Sequence, residues 1–188
     1  MTSTLADKWT FFDKFIQSLR YRRVVHLIPK GSVVLDCGCG NGEFLRYAHK
    51  RIARGYGIDT VKGDFAGGET GTFMEGDLDQ KIPAEDGSLD VVTGLAVLEH
   101  LNHPVVFIEE IFRILKTGGC CVLTTPSPRA KPVLELLAYK IRIISEKDIK
   151  DHKTYFSREE LRRLFCKFSN VKIYYFLFGF NTIIVAKK

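Results

Sequence analysis

Val33-Val34-Leu35-Asp36-Cys37-Gly38-Cys39-Gly40-Asn41-Gly42 is the stretch from which the fold can be read. Val33–Leu35 reads as a short buried strand, and it enters the spacing Asp-x-Gly-x-Gly-x-Gly before helical character resumes over Glu43–Arg51. Glycines let a backbone turn sharply and approach a ligand closely. In an open parallel sheet such ligands sit beyond the carboxyl ends of the strands. A glycine pattern alone also serves tight turns that hold no ligand, so the rest of the chain must decide.

Outward from this loop, strand and helix signals alternate. On the N-terminal side, Trp9–Leu27 has apolar residues at helical spacing and stops at Pro29-Lys30-Gly31, which predicts one or two amphipathic helices in a segment 1–31. On the C-terminal side follow strands at Tyr56–Ile58, Thr72–Met74 and Leu89–Val97, a helix over Val105–Leu115, a stop at Gly118-Gly119 and a strand at Cys120–Thr124. Strands separated by helices predict an α/β, Rossmann-like three-layer sandwich. After Pro126-Ser127-Pro128 come a helix candidate at Val133–Ile144 and a helix from Ser157 to Phe165, where Ser157 and Glu160 have capping-box spacing. Val171–Phe178 and Asn181–Ala186 end the chain as a hairpin, antiparallel because so short a link cannot make a parallel crossover.

The 188 residues, 45% apolar and 27% charged, are those of a soluble globule and exclude a disordered chain, a collagen-like fibre and a disulfide scaffold. The length predicts a single domain, 1–188. No run approaches the roughly 18 apolar residues of a membrane span, and the first residues lack the order of a secretory signal. The five cysteines read as reduced thiols and predict a cytoplasmic location. Net charge is +6 but uneven: +4 over residues 1–31, −5 over 32–138 and +7 over 139–188. Basic ends could draw an anionic substrate or surface, and solvated helix faces give the same count.

Three acids fall into register with the loop. Asp59 ends the second strand, where a carboxylate can accept both ribose hydroxyls, although a helix N-cap is the other use of that position. Gly76-Asp77-Leu78 ends the third, where an acid can meet an adenine amino group or simply build a turn. Asp36 adds negative charge beside the loop. The spacing is not the dinucleotide fingerprint, and a pyrophosphate would be ill served by Asp36 and Glu43. Acidic surroundings suit a ligand with a cationic amine and sulfonium.

At this point the chain resembles the class I S-adenosylmethionine-dependent methyltransferases, in particular the small quinone-biosynthesis-like (methyltransferase type 11) group. The resemblance runs from about Val24 to the C-terminus, through Leu35–Gly42, Gly57-Ile58-Asp59, Gly76-Asp77-Leu78, Leu89–Val92 leading into Leu98-Glu99-His100-Leu101, and Leu115–Gly119. It implies a mostly parallel seven-stranded sheet with an antiparallel C-terminal hairpin, and S-adenosylmethionine as cofactor with S-adenosylhomocysteine as product. It further implies that Gly38, Cys39, Gly40 and Gly42 line the cofactor, with Asp36 near its amino-acid end. Asp59 would hold the ribose, Asp77 and the Leu78 backbone would meet the adenine, and Leu95 would approach the methionine. The chain departs from the family between Asp59 and Thr72, where four glycines predict a loop or one helical turn instead of a full helix.

Methyl transfer needs alignment of the acceptor, and a base only where a proton must leave. His100, just past the fourth strand, is the candidate base; a loop histidine can equally serve packing. Glu99, His100 and His152 resemble parts of the E-x-x-E-H…H metal set of metal-assisted relatives, but Ala96 stands where the first acid belongs, and no metal is expected. Acceptor recognition falls to the N-terminal helices and to a substrate-side lid insert at 126–156. Val133–Ile144 in that insert reads as a lid for a lipid-like acceptor or a peripheral membrane contact, or as an ordinary core helix. The expected acceptor is a small molecule or lipid, anionic if the basic ends recruit it. An RNA or protein acceptor and a non-catalytic S-adenosylmethionine-binding partner subunit are the alternatives; nucleic acid is disfavoured because no base-stacking aromatic array is evident.

Overall fold

The computed structural model describes residues 11–68, 71–136 and 153–188. Its order is α1 (Phe11–Val25), β1 (Ser32–Cys37), α2 (Glu43–Ala48), β2 (Ile52–Asp59), β3 (Gly71–Glu75), β4 (Leu89–Leu95), α3 (Pro104–Ile114), β5 (Leu115–Pro126), α4 (Lys131–Glu135), α5 (Arg158–Leu164), β6 (Asn170–Phe176) and β7 (Asn181–Lys187). A short 3-10 turn, Leu98–His100, lies between β4 and α3. The strands form one seven-stranded sheet in the order β3-β2-β1-β4-β5-β7-β6. Pairs from β3 through β5 are parallel, whereas β7 runs antiparallel to both β5 and β6. The expected parallel sheet and terminal hairpin are both present.

Successive residues of the central strands enter opposite layers, as the pleat requires. Val34, Val91, Val122 and Ile183 pack with Val24, Phe44 and Leu45 on one face. Leu35, Val92, Leu123 and Ile184 pack with Phe107, Ile111 and Phe165 on the other. Strands buried on both faces read as near-continuous apolar runs, which is why β1 and β4 stand out in the sequence. The Ser157–Glu160 capping box at the start of α5 is formed in both directions.

Three boundaries differ from expectation. Strand β2 begins at Ile52, four residues early, because Ala53 and Arg54 occupy exposed positions that carry no apolar signal. Strand β5 begins at Leu115, so Gly118-Gly119 is not a stop but part of the strand, bonded through Gly118 N and Gly119 O to the terminal residue Lys188. Of the expected helix at Val133–Ile144, α4 covers the first residues; 137–144 and His152 lie outside the described residues. Residues 60–68 run as a loop, as their glycines suggested. Its Phe65 ring packs against Phe73 of β3 with centroids 5.5 Å apart and planes tilted by 58°.

Candidate functional site

Strands β1, β2 and β4 end together at one edge of the sheet, and the glycine loop leaves β1 there. Gly38 has φ +67°, and a Cβ on it would lie 2.4 Å from Val97 Cγ2. Glycine is therefore required twice over, by conformation and by space. Asp59, at the end of β2, clamps the loop: its Oδ2 accepts from Gly40 N at 2.8 Å and its Oδ1 from Thr60 N at 2.8 Å.

Asp36 at the end of β1 is only 3% exposed. Its Oδ1 accepts from the Thr93 hydroxyl at 2.6 Å. Burial pushes its carboxyl up to about 7; the Thr93 hydrogen bond opposes that shift and the charge of Asp59 adds to it. Burial, with Asp36 and Asp59 nearby, likewise pushes the Cys39 thiol up to about 12 and leaves it inert.

A cavity of about 360 Å³ opens over these groups, floored by Asp36, Gly38, Cys39, Gly40, Asp59 and Leu95 and roofed by Ile16, Gln17, Arg20 and Tyr21 of α1. A second cavity of about 340 Å³ adjoins it, sharing Gly38, Asp59, Ala96 and His100 and continuing along Asp77 and Leu78. Every site residue expected from the sequence thus lines one cavity or the other, with one exception. Gly42 faces away: its Cβ position is 2.6 Å from the Phe65 ring and 2.9 Å from the Gly67 backbone, so its smallness makes room for the 60–68 loop. Both oxygens of Asp77 serve its own turn, accepting from Asp79 N at 2.9 Å and Gln80 Nε2 at 3.1 Å. The turn use of Asp77 is therefore real, and it coexists with a place on the cavity wall.

The far end of the larger cavity brings Glu99 together with two groups that no local pattern marked, Arg20 and Asn181. Arg20 of α1 donates from Nη2 to Asn181 Oδ1 of β7 at 3.2 Å, and its buried Nε has no partner among the described residues. Glu99 is fully buried, and neither carboxyl oxygen has a hydrogen-bond partner among the described residues. Burial pushes the Glu99 carboxyl up against the opposing charges of His100 and Arg20 and the pull of the Thr125 hydroxyl, which faces it outside hydrogen-bond geometry. The Glu99 carbonyl accepts from Lys153 N at 2.8 Å, which ties the returning end of the 126–156 segment to the His100 turn. Among the described residues no group of three or more His, Cys, Asp and Glu could hold a metal ion. None of their helices is long and apolar enough to cross a membrane.

Comparison with known proteins agrees with this geometry. The family described as "Methyltransferase domain" matches residues 11–169. The ubiquinone biosynthesis O-methyltransferase of Psychrobacter arcticus is 29% identical over 160 residues, which cover 78% of this chain and 62% of that protein. The tRNA (carboxymethyluridine(34)-5-O)-methyltransferase of Arabidopsis thaliana is 30% identical over 126 residues, 65% of this chain and 29% of that one. The chain spans less than two-thirds of the length of these curated relatives. Among solved structures, a SAM-dependent methyltransferase from Archaeoglobus fulgidus superposes with a TM-score of 0.74 at 20% identity, over 93% of this chain and 94% of that one, and so shares the fold.

Proposed function

The chain belongs to the methyltransferase domain family, and from that premise we propose that it transfers a methyl group from S-adenosylmethionine to a small-molecule or lipid-linked acceptor. The carrying observation is the pair of adjoining cavities that meet at Gly38, Asp59 and His100. An elongated ligand with a nucleoside at one end and an amino acid at the other fits such a pair. The donor set suits it chemically: Asp36, Asp59 and Asp77 surround the space with carboxylates, as a cationic ligand requires. The Gly38 cradle, which a Cβ would fill, lets the backbone come close to that ligand.

When bound, the cofactor supplies a methyl group on a sulfonium, open to in-line displacement. In this reading Asp59 accepts the ribose hydroxyls while holding Gly40, and the Asp77–Leu78 turn borders the adenine. Asp36 faces the amino-acid end and Leu95 packs on the methionine. His100 borders both cavities and stands where a proton could be taken from the acceptor. Helix α1 and α4 close the acceptor side, where Arg20, Asn181 and Leu134 line the larger cavity. That supports the expectation that the N-terminal segment and the 126–156 insert recognise the acceptor.

The test is transfer of tritiated methyl from S-adenosylmethionine into fractionated cell extract. Label in the small-molecule or lipid fraction supports the reading. Label in RNA, the acceptor that the Arabidopsis relative's name points to, or in protein would replace the acceptor class and keep the reaction. No label in any fraction, with cofactor bound, would favour a non-catalytic partner subunit.

A further inference from the structure

Asp79, next to the adenine-side turn, uses its carboxylate to reach across the smaller cavity's base. Its Oδ2 accepts from Asn102 N at 3.0 Å and from Asn102 Nδ2 at 2.8 Å, and its Oδ1 accepts from His103 N at 2.6 Å. We propose that Asp79 is a positioning residue: it fixes the width of the nucleoside cavity and, through Asn102 and His103, the place of His100. The inference rests on reading that cavity as the adenosine half of the cofactor site.

The two walls of the cavity come from separate parts of the chain. One is the turn Gly76–Asp79, and the other is Ala96–Leu101, which carries His100. Asp79 joins them. On its own side, Asp79 N donates to Asp77 Oδ1 at 2.9 Å, so Asp77, Leu78 and the carboxylate move as one unit. On the other side, its three bonds fall two and three residues after His100. Burial alone would push the Asp79 carboxyl up; the hydrogen bonds from His103 and Asn102 and the charge of Lys153 outweigh it and hold the group below the usual carboxylate range. Asp79 is therefore ionised throughout the neutral range and its bonds are charge-assisted.

Those bonds also bring a carboxylate to a helix start. Helix α3 starts at Pro104, and its N-cap residue His103 provides no side-chain cap. The orphan N–H groups of a helix start and its partial positive charge favour an anion there. A local cap would satisfy α3 equally well and leave the cavity walls unconnected. Here the carboxylate comes from 24 residues upstream, from the turn that holds Leu78, and binds the amides of Asn102 and His103 just ahead of Pro104. Occupancy of the nucleoside cavity and the position of the acceptor-side histidine are thereby coupled.

The experiment measures calorimetric affinities for S-adenosylhomocysteine and for 5′-methylthioadenosine, which lacks the amino-acid end, on wild type, Asp79→Asn and Asn102→Ala. The ring signal of His100, identified by its loss in His100→Gln, is followed by NMR in each. Asp79→Asn should weaken both ligands by the same factor, on the order of tenfold, and shift the His100 signal. Asn102→Ala, which removes only the side-chain bond, should do both to a smaller degree and carries the test should Asp79→Asn fail to fold. A role confined to capping α3 predicts a lower Tm with affinities and His100 signal unmoved, and that result would overturn the inference. Wild type that binds neither ligand would overturn the cofactor reading itself, and the inference with it.

Discussion

The Asp59 carboxylate and the Gly40 amide are joined by a 2.8 Å hydrogen bond, so the acid at the end of β2 holds the glycine loop at the end of β1. One side chain therefore has two duties, shaping the loop and, in the proposed complex, accepting the ribose hydroxyls. Hydrogen bonds to a charged group are worth about 1.5–3 kcal/mol each. Asp59→Ala should weaken S-adenosylmethionine binding roughly tenfold or more by calorimetry. Asp59→Asn keeps an oxygen for Gly40 and should lose less. Equal, undiminished affinity in both folded variants would remove Asp59 from the site.

The raised carboxyl of Asp36 makes cofactor binding sensitive to pH. Its value of about 7 lies above the ordinary 3.8, so the group is half neutral near pH 7. An ionised Asp36 attracts a cationic cofactor, and affinity should fall as pH drops from 8 to 6. The sign for stability is opposite. A carboxyl whose folded value is raised costs stability when it ionises, so the cost appears as pH rises from about 4 to 7 and is complete above 7. Asp36→Asn should therefore raise the Tm of the unliganded protein at pH 8, by at most roughly 4 kcal/mol of stability, and narrow that gain toward pH 4. The same variant should bind the cofactor more weakly at pH 8 and lose the pH dependence. Calorimetry at several pH values reads both.

Gly38→Ala should close the site. The added methyl would sit 2.4 Å from Val97 Cγ2 at a φ of +67°. A β-branched side chain cannot swing aside, and left-handed backbone is strained for alanine. Binding of S-adenosylhomocysteine should be lost in Gly38→Ala and return in part in Gly38→Ala with Val97→Ala, since the second change removes the clash and not the strain. A single mutant that binds as wild type would contradict the close approach of backbone to ligand.

Glu99 offers a trade of stability against activity. A buried carboxyl with no partner among the described residues costs folding energy, and Glu99→Met fills similar space without it. The variant should melt higher than wild type by calorimetric scan. It should also slow methyl transfer, because the acid beside Arg20 and Asn181 in the acceptor cavity would be gone. A lower Tm would mean that the attraction of the carboxyl to the buried Arg20 and the neighbouring Thr125 hydroxyl outweighs its burial cost.

Much of this was legible from residue order. Val33–Gly42 announces itself because Val33–Leu35 is an apolar run facing both layers and the turn after it needs glycine at Gly38, where positive φ and Val97 leave no room for a Cβ. The hairpin at β6 and β7 is local and short, so its direction follows from chain length. Gly42 reads like its neighbours in the loop, because a glycine that yields to Phe65 looks the same in sequence as one that yields to a ligand. Arg20, Asn181 and Asp79 were invisible for a different reason. Arg20 meets Asn181 across 161 positions and Asp79 meets His103 across 24. Such contacts arise from packing, and no periodicity or spacing encodes them.

In the proposed complex the joined cavities at Gly38, Asp59 and His100 hold S-adenosylmethionine. Titration calorimetry of the wild-type chain with S-adenosylmethionine at pH 8, beside a nicotinamide dinucleotide as control, tests it most directly. Saturable binding of one equivalent, abolished by Gly38→Ala, is expected, with none of the dinucleotide. No binding of S-adenosylmethionine by the folded protein, or preference for the dinucleotide, would contradict it.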